Sequence, residues 1–218
     1  MSRIVLDVPF VTQLGFGNPA NLKNDHSGCW YAMACMIGGF FEAGPRLGVP
    51  HLYQAGYGSL ADGTATHGHR VLNPGTADEA LFLSNEDLDR VSPPAGNRWG
   101  AEALAMLLRR HGPIGFYWIK TAGGATYGHA SVLIGIDAGT VVYHDPENGP
   151  RSTMPLAEFN RLLYWDCPTV MLRRKGPPFQ ATASLATFTP MAVKPKPGNA
   201  SNMRGPGFFG RLQGGPGS

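Results

Sequence analysis

The chain has 218 residues, 43% of them hydrophobic and 15% charged, enough for one packed domain with an appendage. A formal net charge of +3, with Lys and Arg scattered, argues against a nucleic-acid partner. No apolar run reaches the roughly 18 residues of a membrane span, so no membrane partner is expected, and three cysteines are too few and too odd in number for a disulfide framework.

The N-terminus, Met1 to Asp7, meets an acid and then Pro9 too early to read as a signal peptide. Ile4 to Val11 reads as a short strand or extended lead-in, interrupted by Pro9. Leu14 to Ser27, rich in Gly, Asn and Pro, is expected to be a loop. Asp25 or Ser27 is placed to cap the helix that follows. Trp30, Met33, Ala34 and Ile37 recur at helical spacing, and the helix is expected to end near Phe41, before Gly44-Pro45.

From Gly44 to Pro94 apolar periodicity is poor. We expect an irregular excursion with short helices near Pro50–Tyr53 and Asn85–Arg90. Trp99 to His111 is the second clear helix, with Leu104, Leu107 and Leu108 as its stripe, stopped by Gly112-Pro113. Ile114 to Ile119 reads as a strand buried on both faces, Thr121 to Gly128 as a glycine-rich turn, and His129 to Ile136 as the next strand. Asp137 to Thr140 has hairpin chemistry leading into Val141 to Asp145. Leu156 to Leu163 is a short helix or turn, and Pro168 to Arg173 a last strand. From Lys175 prolines and glycines dominate and no core can form, which divides the chain into a domain over 1–174 and a tail over 175–218.

Cys29 stands at the mouth of an apolar helix. A helix N-terminus offers unpaired N–H groups and partial positive charge, which favour a thiolate over a thiol. On that stretch alone an activated nucleophile and a core cysteine are both open readings. His129 is expected at the start of its strand, facing open space. Counting back from the hairpin brings Asp145 close to the level of Gly128 and His129. A carboxylate beside an imidazole would fix its tautomer, and the imidazole would serve Cys29 as base or as imidazolium partner. Cys35 falls on the other side of the helix and reads as core. His144 alternates with Asp145 and should face away from it. His26 is near Cys29 with nothing to orient it. His51, Asp62, His67 and His69 lack metal-ligand spacing, and no cofactor or metal is expected.

Val8-Pro9 with Gln13, then Cys29-Trp30-Tyr31-Ala32, Leu107-Leu108 with Gly112-Pro113, Gly128-His129-Ala130, and Val142-Tyr143 with Asp145-Pro146 occur in an order that resembles the papain-like cysteine protease superfamily. The likeness is to its bacterial branch of effector proteases and double-glycine, bacteriocin-processing peptidases. It spans residues 4 to about 172. The resemblance implies an α+β, papain-like fold: a helical subdomain carrying the nucleophile, packed on an antiparallel β-sheet. It implies Cys29 as nucleophile, His129 as base, Asp145 as orienter and a Gln as oxyanion donor. That Gln would be Gln13, sixteen positions before Cys29 and further than the family pattern, with Asn24 as the fallback. The implied activity is peptide-bond cleavage, with Gly-Gly as a preferred site, by an effector or toxin delivered into a target cell. Its partners would be a protein or peptide substrate and a cognate immunity protein. Two rivals are a peptidoglycan amidase or endopeptidase and a catalytically inert, protease-like binding module.

Overall fold

The computed structural model describes residues 3–16, 23–24, 28–41 and 72–176, with the backbone alone at 14–16 and 23–24. In chain order the elements are β1 (Arg3–Val5), β2 (Leu14–Phe16), β3 (Lys23–Asn24), α1 (Cys29–Phe40), α2 (Ala77–Asn85), β4 (Leu88–Arg90), α3 (Ala101–His111), β5 (Ile114–Ala122), β6 (Ala125–Asp137), β7 (Thr140–Asp145), β8 (Gly149–Pro155), α4 (Leu156–Leu162) and β9 (Met171–Arg174). The fold is α+β, as expected. Among the described residues one antiparallel sheet has the strand order β4-β9-β5-β6-β7-β8, with β1 pairing β6, and β2 pairs β3 separately.

Two hairpins organise the sheet. Ala138 and Gly139, both at positive φ, close the β6–β7 turn where Asp137 pairs Thr140, as the sequence predicts. The β5–β6 turn is tighter than expected. Gly123 and Gly124, at φ 56° and 78°, make a two-residue turn, and pairing resumes at once between Ala122 and Ala125. The strands therefore run right up to the glycines, and His129 lies mid-strand opposite Trp118 rather than at a strand opening. It is buried, not facing open space.

Beyond the end of β5, β1 continues the same edge of β6, with Ile4 opposite Ile136. α1 packs across β5 and β6. A side chain at Gly115 would put its Cβ 2.5 Å from Met33 Sδ, so the helix approaches the strand only because that position is glycine. Trp30, Met33, Met36 and Ile37 are fully buried, and each such side chain adds about 1.5–3 kcal/mol of apolar burial. Trp30 meets Phe82 of α2 edge-on at 5.0 Å, and Trp30 and Met36 both belong to the core. On the opposite sheet face Phe159 of α4 packs on Phe116 at 5.1 Å.

Several boundaries differ from the expectation. Leu14 to Ser27 contains the β2–β3 pairing rather than loop alone. The cap of α1 is Gly28, whose carbonyl accepts from Ala32 N, and Asp25 and Ser27 lie outside the described residues. The helix expected at Asn85–Arg90 is instead the end of α2 followed by β4. Thr76 starts α2 by accepting from Glu79 N, while Glu79 reaches back to Gly75 N at 2.7 Å, a local cap that weak periodicity hides. β8, unforeseen, pairs with β7. The short helix expected at Pro50–Tyr53 lies outside the described residues, as do residues 177–218 of the tail.

Candidate active site

Cys29 is the first residue of α1 and is buried. The first turn of the helix holds no acidic residue to answer its partial positive charge. The Cys29 thiol lies close enough to the His129 ring to favour its protonated form. The ring Nε2 lies 2.7 Å from Asp145 Oδ1, which leaves Nδ1 as the nitrogen for the sulfur. A cysteine a hundred positions upstream and an aspartate sixteen positions downstream thus come to one imidazole.

A β-bulge makes this possible. From Asp137↔Thr140 to Gly135↔Val142 the β6–β7 register is regular. It then slips by one residue at Ile134, giving Leu133↔Tyr143 and Val132↔His144. Without the slip Asp145 would fall level with Val132, and its side chain would leave the sheet on the face opposite to His129. With it, the continuing register brings Asp145 level with Ser131, two residues from His129 on the same face. Simple counting expects Asp145 beside His129; the observed contact is diagonal, and it depends on the bulge.

Asp145 is completely buried and densely held. Oδ1 also accepts from Glu147 N at 2.9 Å and Asn148 N at 3.3 Å, an Asx-turn that follows Pro146. Oδ2 accepts from Lys120 Nζ at 2.8 Å. Lys120 donates again to Glu147 Oε2 at 2.6 Å, and Tyr127 OH donates to the same oxygen at 2.7 Å. Trp118 and Tyr127 meet the His129 ring edge-on at 5.8 and 6.2 Å and wall off its bond to Asp145.

The electrostatics follow from these partners. Burial disfavours a charged His129 ring, but the Asp145 charge and its hydrogen bond, helped by Cys29, outweigh burial and the opposing Lys120 and lift it to about 9. Burial likewise opposes an ionised Asp145, yet His129 and Lys120 together hold its carboxyl well below the usual range. Glu147 is lowered by Lys120 and His129 against its own burial. His129, Asp145 and Glu147 bring potential ligand atoms within 4.8 Å of one another. The Lys120 ammonium already sits against both carboxylates, where a metal ion would have to displace it.

Gln13 is buried, and its backbone N–H donates to Pro146 O at 3.0 Å, next to Asp145. Thr12 Oγ1 donates to the same carbonyl. The fallback, Asn24, pairs through its backbone with Leu14, the neighbour of Gln13. Both candidates therefore stem from one short ribbon. His144 faces away from Asp145, as alternation predicts, and is opposite Val132. It donates through Nε2 to Val8 O at 2.9 Å and accepts at Nδ1 from Arg151 N at 3.0 Å. Cys35 is half-buried beside Tyr31, and burial first, then the Glu86 charge, push its thiol up to about 12. His26, His51, Asp62, His67 and His69 lie outside the described residues.

Lys120, Glu147, Tyr127 and Trp118 escape a reading of the sequence. The signal was present in one of them: Lys120 is a cation in a strand, Ile114 to Ala122, whose first five residues are all buried. Glu147 and Tyr127 carry no such mark. Residues 4–164 match the family model described as papain-like cysteine protease AvrRpt2. With that match over most of its length, and with a thiol, an imidazole and a carboxylate meeting in an α+β fold, the chain belongs to the AvrRpt2 family of papain-like cysteine proteases and is a cysteine peptidase.

Proposed function

We propose that Cys29, His129 and Asp145 form the catalytic triad of this peptidase, with Gln13 as side-chain oxyanion donor. The observation that carries the reading is one imidazole hydrogen-bonded at 2.7 Å to a buried carboxylate, with the Cys29 thiol close enough to favour its protonated form. His129 takes the Cys29 proton, and the resulting thiolate attacks the peptide carbonyl carbon. The tetrahedral oxyanion is received by the Cys29 N–H and the Gln13 amide, an interaction whose loss typically costs about 10²–10³ in rate. His129 then gives its proton to the leaving amine. Water, deprotonated by His129, releases the acyl group from sulfur and restores the thiol. Asp145 stabilises the imidazolium throughout and takes up no proton itself.

The substrate is a protein or peptide. Cleavage after small residues such as Gly-Gly, delivery into a target cell as an effector or toxin, and a cognate immunity protein over the cleft complete the reading. The catalytic domain is 1–174 and the remainder is an appended tail. Expression of wild type and Cys29→Ala in bacterial cytoplasm, followed by terminal proteomics, tests it. Growth arrest and new N-termini after small residues, with wild type alone, are expected. Identical growth and identical termini in the two strains would overturn the proteolytic-toxin reading.

A further inference from the structure

Behind the His129–Asp145 contact lies a cluster of charged side chains that the acyl-transfer chemistry leaves unused. Lys120 is 4% exposed, and its ammonium touches two carboxylates, Asp145 Oδ2 at 2.8 Å and Glu147 Oε2 at 2.6 Å. Isolated, such an ammonium would be costly to bury, so its place in the strand is tied to both anions. Tyr127 OH completes the cluster by donating to Glu147. Two carboxylates against one ammonium leave one negative charge over, which a protonated His129 balances. Were Lys120 absent, two anions would share a buried space, and one of them would take up a proton. If that one were Asp145, His129 would lose its acceptor.

We infer that Lys120 is a positioning residue for the thiol site: by clamping Asp145 Oδ2 and Glu147 Oε2 together it holds Asp145 as a carboxylate turned so that Oδ1 meets His129, and Glu147 sets how much of that positive charge Asp145 receives. The inference rests on the Cys29–His129–Asp145 reading. The charged and titratable groups facing Lys120 and Asp145 are Glu147, Tyr127, His129, Tyr143 and Cys29. Removing the cation raises the proton affinity of every neighbour, and removing the Glu147 anion lowers it. The two substitutions therefore shift a pH profile in opposite directions, whereas plain loss of packing would only reduce its amplitude.

The test uses the full chain and iodoacetamide as probe, with alkylation at Cys29 followed by mass spectrometry from acid to neutral pH. Lys120→Met is expected to move the acid limb upward by about one pH unit, some tenfold in rate on the limb. Glu147→Gln should move it downward, and the double variant should return close to wild type. Coincident acid limbs, or single variants moving the same way, overturn the inference. If Lys120→Met does not fold, the sign of the Glu147→Gln shift decides alone. His129→Ala is the control for the underlying reading: wild-type alkylation that this change leaves untouched would sink the triad itself, separately from the role of Lys120.

Discussion

The two faces of the β6–β7 ribbon each bury a histidine, and the two are used in opposite ways. His129 and His144 are 1% and 2% exposed. On one face His129 meets a carboxylate, a thiol and, beyond them, an ammonium, and its proton affinity rises to about 9. On the other, His144 lies between a backbone carbonyl and a backbone N–H, and burial pushes its proton affinity down. Burial penalises the charged ring on both faces; the partner decides the outcome. Neutral His144, with the Nε2–H tautomer set by its two bonds, works as a strut between the lead-in at Val8 and the β8 strand at Arg151. In the triad proposed above, His129 is the proton carrier.

The contrast is broken most severely at Asp145. Asp145→Asn retains the shape but removes the charge that favours imidazolium, and alkylation of Cys29 should slow by about 10²–10⁴ near neutral pH. The equivalent change on the other face, His144→Ala, should leave the pH dependence of alkylation where it is. It orphans Val8 O and Arg151 N, so it should instead lower stability by about 1–3 kcal/mol, read from denaturant unfolding. An alkylation profile displaced by His144→Ala would mean that the two faces are coupled.

Stability should also carry the signature of each face. His129 binds its proton more tightly folded than unfolded, so its contribution is complete below its ordinary value of about 6.5 and disappears as pH rises through about 9. Asp145 and Glu147 are held low, so theirs is present above the ordinary carboxylate range and is lost on acidification. Thermal melts should therefore peak on the mildly acidic side of neutrality, and the alkaline decline should vanish in His129→Gln. The lowered His144 acts in the opposite sense, favouring the folded state as pH rises past its ordinary range. The smallest effect belongs to the rim: Arg151 reaches Asp7 at 3.5 Å with both side chains exposed, and Arg151→Ala should change stability by no more than about 0.5 kcal/mol.

Much of this was legible in local sequence. The Cys29 helix, the Ala101–His111 helix, the β5, β6 and β7 strands and the Ala138-Gly139 hairpin all rest on short-range signals: helical spacing, continuous apolar runs and turn residues that tolerate positive φ. The order of Cys29, His129 and Asp145, and the facing-away of His144, followed from the same rules. Tertiary structure alone decided which face Asp145 takes, because a one-residue bulge at Ile134 reverses the parity of everything beyond it, and a bulge answers to the pairing of neighbouring strands. It also decided that Lys120, Glu147 and Tyr127 converge behind the carboxylate, since a buried charge is stable only where distant segments bring its counter-charges. Spacing along a chain determines which residues alternate and which turn; only pairing in space determines which charges meet.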